Sequence, residues 1–293
     1  AYRRMRNTAR FLLSNMVGFD PMEHALAPDA MLMLDRWAVE RARLLQEELV
    51  QAYERYEFHH IYQKVHNFCA SDLGGFYLDV IKDRQYTTQA DSVARRSTQT
   101  AMYFIAEALV RWLAPILSFT AEEIWKHLPG DREESVFLET WFELPEMFLP
   151  GETDTGQFGM EFWGQVLAVR DAVNKGVEKV RVAGDIGSAL DAEVDLYCDE
   201  NWLEALSRLE DELRFVLISS YARLHALADK PEDAVDADIE TGAIAIRVRA
   251  SAHVKCGRCW HHREDVGAAD AHPELCGRCV SNVDGAGEQR KFA

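Results

Sequence analysis

From Tyr2 to about Leu128 apolar residues recur at the spacing of one helix face. Leu34, Trp37, Ala38, Leu45, Leu49, Ala52, Tyr53 and Tyr56 follow the i, i+3, i+4 rule over more than five turns, which predicts a long amphipathic helix. Pro28-Asp29 signals its start, and Asp91 is placed to cap a further helix running through Ala101, Ile105, Leu109 and Trp112. Gly74-Gly75 marks a break between them. Pro115 ends or kinks the second helix, and Thr120-Ala121-Glu122-Glu123 has the capping-box form that restarts one. Residues 1–130 therefore read as an antiparallel helix bundle with short connections, its aromatic and leucine stripes forming the core.

The pattern then changes. Residues 131–158 are rich in Glu, Asp, Pro and Gly, including Leu144-Pro145-Glu146 and Leu149-Pro150-Gly151, and read as an acidic, surface-draped linker. Residues 159–250 read as a small α+β module. It has a helix from about Met160 to Val180, a turn at Gly184 and Gly187, and alternation at Ala192-Glu193-Val194-Asp195-Leu196-Tyr197 that predicts a strand. Trp202 to Leu213 looks helical, Phe215-Val216-Leu217-Ile218 strand-like, and Ala243 to Val248 a further strand. Residues 251–293 form a last, cysteine-bearing unit. The fold class expected is mostly α: the bundle, then the α+β module, then a four-cysteine zinc finger.

Composition narrows the class. A 293-residue chain of 33.4 kDa with 48% hydrophobic and 28% charged residues buries a sizeable core and is neither disordered nor repetitive. The longest apolar run, Ala106 to Leu117, contains Glu107 and Arg111 and falls short of a membrane span. With no signal peptide visible at the start, a cytoplasmic location and no membrane partner are expected, and a monomer. The net charge of −17 disfavours non-specific attraction to nucleic acid, yet it conceals two basic islands. Arg3, Arg4, Arg6 and Arg10 crowd the first ten residues, and Arg247, Arg249, Lys255, Arg258 and Arg263 fall in 244–263 without an acid among them. Such runs are otherwise read as solvated faces.

Four of the six cysteines fall in two knuckles, Cys256-Gly257-Arg258-Cys259 and Cys276-Gly277-Arg278-Cys279, with sixteen residues between them. Two residues between cysteines let one tight turn aim both thiolates at a single ion, and two such turns complete a tetrahedral shell of zinc. Disulfides are the alternative, disfavoured in a reducing compartment. His253, His261, His262 and His272 lie nearby, but four cysteines already fill the shell, so one structural Zn²⁺ with no open position for water is expected. Cys69 and Cys198 read as small buried hydrophobes.

No residue set reads as catalytic. Phosphate-cradling, metalloprotease, nucleophile-elbow and dinucleotide motifs are absent, and Glu122-Glu123, Glu133-Glu134 and His59-His60-His66 read as helix or loop faces. Arg258 and Trp260 flank Cys259, so a metal-fixed knuckle would set a guanidinium and an indole side by side, the groups on which unstacked bases lie; alternatively Trp260 packs the knuckle.

Tyr2-Arg3-Arg4-Met5-Arg6-Asn7-Thr8-Ala9-Arg10-Phe11-Leu12-Leu13 resembles the segment with which bacterial isoleucyl-tRNA synthetases leave their catalytic domain, and Leu34-Asp35-Arg36-Trp37, Tyr56-Glu57-Phe58-His59, Asp79-Val80-Ile81-Lys82-Asp83-Arg84-Gln85-Tyr86 and Leu113-Ala114-Pro115-Ile116-Leu117-Ser118-Phe119-Thr120-Ala121-Glu122-Glu123 resemble their anticodon-binding helical domain. Gly257-Arg258-Cys259-Trp260-His261, Cys276-Gly277-Arg278-Cys279-Val280-Ser281-Asn282-Val283 and Arg290-Lys291-Phe292-Ala293 resemble their C-terminal zinc finger, and the resemblance spans nearly the whole chain. It implies a class I enzyme that attaches isoleucine to its tRNA using ATP. The HIGH and KMSKS signatures of the catalytic domain are not in this sequence, which begins without methionine inside a helical pattern. The expectation is a C-terminal portion unable by itself to activate isoleucine, with ATP and isoleucine handled elsewhere. The resemblance further implies that the partner is the anticodon stem-loop of isoleucine tRNA, with Arg258 and Trp260 as base contacts; Arg3, Arg6 and Arg10 would then serve as phosphate contacts or, alternatively, as ion-pair partners of the bundle's own acids. Two other readings fit parts of the chain: a stand-alone, catalytically inactive tRNA-binding paralogue, and a DNA-binding protein related to formamidopyrimidine-DNA glycosylases, which share the zinc-knuckle form.

Overall fold

A computed structural model describes residues 1–149 and 151–293, so Pro150 of the expected linker lies outside the described residues. The Cα positions cluster into two compact units, Ala1–Gln85 with Ala90–Asp154, and Tyr86–Gln89 with Thr155–Ala293. Among the described residues no helix is long and apolar enough to cross a membrane.

The first unit is built from α1 (Tyr2–Asn15), α2 (Met33–Glu54), α3 (Phe58–Asn67), α4 (Val93–Leu113) and α5 (Ser118–Trp125). The predicted stripe of α2 is its core face: Leu34, Trp37, Ala38, Leu45, Leu49 and Ala52 are buried, against Ile61 and Val65 of α3 and Leu109 and Trp112 of α4. Successive helices alternate in direction, so α2 and α4 run the same way. The Leu32 N–H meets Ser97 Oγ (2.8 Å) at one end, and Tyr53 Oη donates to Trp112 O (2.7 Å) at the other.

A buried ion pair holds this arrangement. Asp35 and Arg84 are both completely buried, Arg84 Nη1 and Nη2 reaching the two carboxylate oxygens at 2.7 and 2.6 Å. Tyr77 Oη (2.6 Å) and Ser97 Oγ also donate to Asp35. Two desolvated charges are tolerable inside a bundle only when they are paired and hydrogen-bonded in this way. Two sequence motifs, Leu34-Asp35-Arg36-Trp37 and Asp83-Arg84-Gln85, thus meet as halves of one interaction.

Local signals were overridden where tertiary partners claimed the side chains. Pro28–Ala30 is a separate 3₁₀ turn, and α2 begins at Met33 once Ser97 has taken the Leu32 N–H. Ser92, and not Asp91, caps α4 by accepting from Arg95 N. The capping box at Thr120 does not form. Helix α5 starts two residues earlier, while Thr120 bonds Tyr2 Oη (3.1 Å) and Glu123 pairs with Arg6 (3.3 Å). Gly74-Gly75 does not break the chain; Phe68–Tyr77 continues α3 as a wider π-helix. Residues 131–149 lie on the bundle, because Arg36, Gln46 and Arg111 donate to the carbonyls of Met147, Phe142 and Thr140 (2.8, 2.8 and 2.9 Å).

In the second unit α6 (Met160–Ala183) ends at Gly184, whose φ of 88° closes the helix as glycine allows. It packs on a four-stranded sheet of β1 (Ala192–Cys198), β2 (Tyr221–Ala226), β3 (Val235–Asp236) and β4 (Ile244–Ala250), ordered β2-β1-β4-β3. A Cβ at Gly176 would lie 3.0 Å from Val248 Cγ2, so glycine sets the close approach of α6 to β4. Between β1 and β2 lie α7 (Glu200–Ser207) and α8 (Leu213–Leu217). The strand expected at Phe215–Ile218 is therefore helical, a four-residue apolar run being equally compatible with a buried turn of helix. Strand β2 carried no recognised signal. The hairpin β5 (Val254–Lys255) with β6 (His262–Arg263) and the helix α9 (Gly277–Asp284) complete the unit.

Arg84→Ala leaves Asp35 buried and unpaired, and is expected to cost about 3–5 kcal/mol. A urea-unfolding series of the bundle's helical signal checks this, and a loss below about 1 kcal/mol would contradict it.

Candidate functional site

The β5-β6 hairpin carries the first cysteine knuckle, and the N-terminus of α9 carries the second. In the first, Trp260 N–H closes on Cys256 O (3.0 Å) and Cys256 N–H on His261 O (2.9 Å). The second repeats the turn, Val280 N–H on Cys276 O (3.0 Å), and runs on as helix. The knuckles are tied by Gly257 N–H to Glu274 O (2.9 Å), and Asp265 accepts from Gly277 N–H (2.9 Å). Four sulfurs converge: Cys256, Cys259, Cys276 and Cys279 are all buried, with their Sγ atoms within 4.8 Å of one another.

This donor set suits one tetrahedral ion. Zn–S bonds of about 2.3 Å imply sulfur-to-sulfur edges of about 3.8 Å, and Cys259 Sγ lies 3.7 Å from Cys276 Sγ. The thiols respond unequally to their crowding. At Cys256 the hydrogen bond with Cys259 favours the thiol, those with Cys276 and Cys279 favour the thiolate, and the balance brings it down to about 5. Cys259 is held lower still by Cys256, whereas Cys276 and Cys279 are pushed up, first by Cys256. Without a cation the four cannot all ionise; a dication removes that conflict. By contrast, burial pushes Cys69 and Cys198 up to about 12, which leaves both as inert thiols.

Of the neighbouring histidines, His261 lies beside Cys259 and favours its thiolate. His261 is buried edge-on to Phe215 (5.6 Å), His262 bonds His253 O (2.7 Å) and Asp191 (3.2 Å), and His272 bonds Asp284.

Trp260 is 60% exposed, so it does not fill the knuckle's interior. It also sits at φ 67°, a left-handed conformation that glycine adopts freely and an indole-bearing residue does not. Strain of this kind costs about 1–3 kcal/mol and accumulates at working sites. Arg258 stays exposed but directs Nη2 to Thr87 O (2.9 Å). The cation over the Trp260 ring is instead Lys255, with Nζ 5.9 Å from the centroid. Sequence reasoning passed over that pairing, although Lys255 stands directly before the first knuckle.

Arg3, Arg6 and Arg10 lie in the first unit, exposed, at i, i+3 and i+7 on one face of α1. Arg6 pairs with Glu123, an exposed pair worth under about 1 kcal/mol. The basic run at 244–263 is not a bare patch. Arg249 reaches Glu193 and Asp195 (3.4 and 3.3 Å), Arg247 reaches Asp233 (2.8 Å), and Lys255 faces Asp191 (3.8 Å).

The finger is fixed to the sheet. His262 N–H donates to Ser220 Oγ (2.6 Å) and Arg263 Nη1 to Ser220 O (3.2 Å). The terminal segment clasps the same region: Lys291, Phe292 and Ala293 N–H groups all donate to Glu212 (2.8, 2.9 and 2.7 Å), and Arg290 lies 3.4 Å over Phe215.

Comparison with known proteins gives two family matches. Residues 35–196 match the "Anticodon-binding domain of tRNA ligase", and residues 255–282 match the "Zinc finger found in FPG and IleRS". The whole chain is 60% identical to an isoleucine–tRNA ligase of Thioalkalivibrio sulfidiphilus, covering 31% of that protein. It is 62% identical to one of Alkalilimnicola ehrlichii (31% of its length) and 60% identical to one of Nitrosococcus oceani (30%). The chain thus spans about a third of the length of these relatives.

Two outcomes follow. The chain should bind one equivalent of zinc that survives dialysis, and Cys279→Ala should lose it to a competing chelator; retention of stoichiometric zinc by that variant would refute the four-sulfur shell. Trp260→Gly should keep amide-exchange protection at the knuckle or raise it by about 1 kcal/mol, through relief of backbone strain. Lost protection would mean that the indole holds the knuckle together.

Proposed function

The chain belongs to the family of the anticodon-binding domain of tRNA ligases, whose profile covers more than half of it, and from that premise we propose that it is the tRNA-holding part of an isoleucine–tRNA ligase. The observation that carries this reading is Trp260, an exposed indole in a strained backbone posture beside four buried sulfurs. Cys256, Cys259, Cys276 and Cys279 hold one structural zinc, which when bound supplies positive charge and cross-links the two knuckles. With its shell closed by sulfur, the site has the donor set of a structural and not a hydrolytic centre.

The cysteines fix the turn, and the turn holds the Trp260 ring outward with Lys255 beside it. An unstacked base of the anticodon loop lies on that ring, a contact worth about 1–3 kcal/mol. Arg258, anchored through one amino group, presents its remaining donors to the same loop. Arg3, Arg6 and Arg10 face the phosphates of the tRNA from α1, fixing register without reading sequence. Formation of the isoleucyl adenylate from ATP and isoleucine belongs to the catalytic part of the enzyme; the motifs for it are not among these residues. The protein acts as a monomer on isoleucine tRNA.

Binding of the zinc-loaded chain to an isoleucine tRNA transcript, and to the same transcript with its anticodon exchanged, tests this. The expected result is tighter binding of the native anticodon, with the difference reduced about tenfold by Trp260→Ala. Equal binding of both transcripts by the unaltered chain would overturn the reading.

A further inference from the structure

The face of the sheet turned away from α6 carries charge in two layers. Glu193 and Asp195 project from the central strand β1 and are only 5% and 3% exposed. In register beside them stand Arg249 and Arg247 of β4, and Tyr221 and Arg223 of β2. Arg223 Nη1 donates to Glu193 (2.8 Å), Arg249 spans Glu193 and Asp195, and His225 bonds Asp195 (3.0 Å). The carboxylates lie beneath while the side chains of Arg247 and Arg249 remain 33% and 45% exposed. Over Glu193 and Asp195 an approaching anion therefore meets cations first, while Arg247 is flanked by the exposed Asp233.

Burial pushes the Glu193 carboxyl up, but hydrogen bonds from Arg223 and Ser251 and the nearby guanidinium charges outweigh it and hold it below the usual carboxylate range. Glu193 thus stays a carboxylate, and the hydrogen bonds and ion pairs it shares with Arg223 and Arg249 hold those side chains over β1. At its Tyr197 end this face is closed by Leu227 and Ala234. At the other end the chain leaves β4 and passes through His253 to Lys255 and the first knuckle, and Arg263 of β6 lies 4.2 Å over Tyr221. Residues i and i+2 along a strand stand about 7 Å apart, so Arg247, Arg249 and the run to Lys255 form a strip leading to Trp260. In a chain of net charge −17, such a strip, its acids already paired with guanidinium or ammonium groups, repels a polyanion less than a face of unpaired acids does.

We propose that this strip, Arg223, Arg247, Arg249 and Lys255, holds the sugar-phosphate backbone of the RNA whose base stacks on Trp260, an inference that rests on the tRNA role above. The α+β module is then a second contact surface and not a spacer. Because backbone contacts carry no sequence information, the strip adds affinity equally for any anticodon.

The test is a salt series of tRNA binding with the zinc-loaded chain, Arg247→Gln, Arg249→Gln, Arg247→Lys and Trp260→Ala. Both Gln variants should weaken native and anticodon-exchanged transcripts alike, by about threefold to tenfold at low salt, and flatten the salt slope by about one per contact removed. Arg247→Lys should restore the slope. Arg249 braces the buried acids, so a fold defect in its variant leaves Arg247, whose ion-pair partner is the exposed Asp233, to decide. An unchanged slope for Arg247→Gln, with the Trp260→Ala effect intact, would overturn the strip and leave the anticodon reading standing. Failure of the unaltered chain to bind either transcript would overturn both.

Discussion

Four buried sulfurs within 4.8 Å of one another form the constraint on which the C-terminal unit depends. Ionised together they repel, and protonated together they waste the backbone turns that aim them at one point. A single dication resolves both, and in doing so fixes the residues that interrupt and follow each cysteine pair. Trp260 inherits its posture this way. Its left-handed backbone and its exposure are consequences of where Cys256 and Cys259 must point. The hairpin that bears it is in turn pinned to the sheet at Ser220, and the last residues of the chain close over Glu212.

The helical unit solves a similar problem with protein groups alone. Asp35 and Arg84 are as deeply buried as the cysteines; they bond each other, Tyr77 and Ser97 donate to Asp35, and Arg84 donates to the Ala94 carbonyl. Burial of such a pair is not itself a source of stability, but removing one member is costly, and so it specifies how the helices must meet. The sheet repeats the device near its surface, with Glu193 and Asp195 below and arginines above. In all three places a buried charge dictates the geometry of exposed groups.

Much of this could be read from residues. The stripe of α2, the Gly184 stop of α6, the strand at Ala192–Tyr197 and the four-sulfur cluster follow directly from periodicity and spacing. What escaped were features decided by distant partners. The Thr120 capping box yielded to Tyr2 and Arg6, the strand expected at Phe215–Ile218 became the helix Leu213–Leu217 against α6, and the strand β2 had no marker of its own. The alternation that marks β1 also sets its acids on one face, yet every residue of that strand is buried, because arginines from both neighbours lie over Glu193 and Asp195. The 244–263 island looked like bare positive charge for the same reason: the acids that order it, Asp191, Glu193, Asp195 and Asp233, all stand outside that window. Within the site, spacing placed Arg258 and Trp260 together, but only the fold shows that Arg258 is anchored on Thr87 and that Lys255 attends the indole.

The role proposed for the metal-fixed knuckle is to hold Trp260 in the posture that receives a base. It is tested most directly by placing 2-aminopurine at each anticodon position of an isoleucine tRNA in turn and following its fluorescence on addition of the chain. Stacking on the indole should quench one position with zinc bound, and the quench should vanish with Trp260→Ala or on chelation. Fluorescence that is unchanged at every position, or a quench indifferent to both zinc and Trp260, would contradict the account.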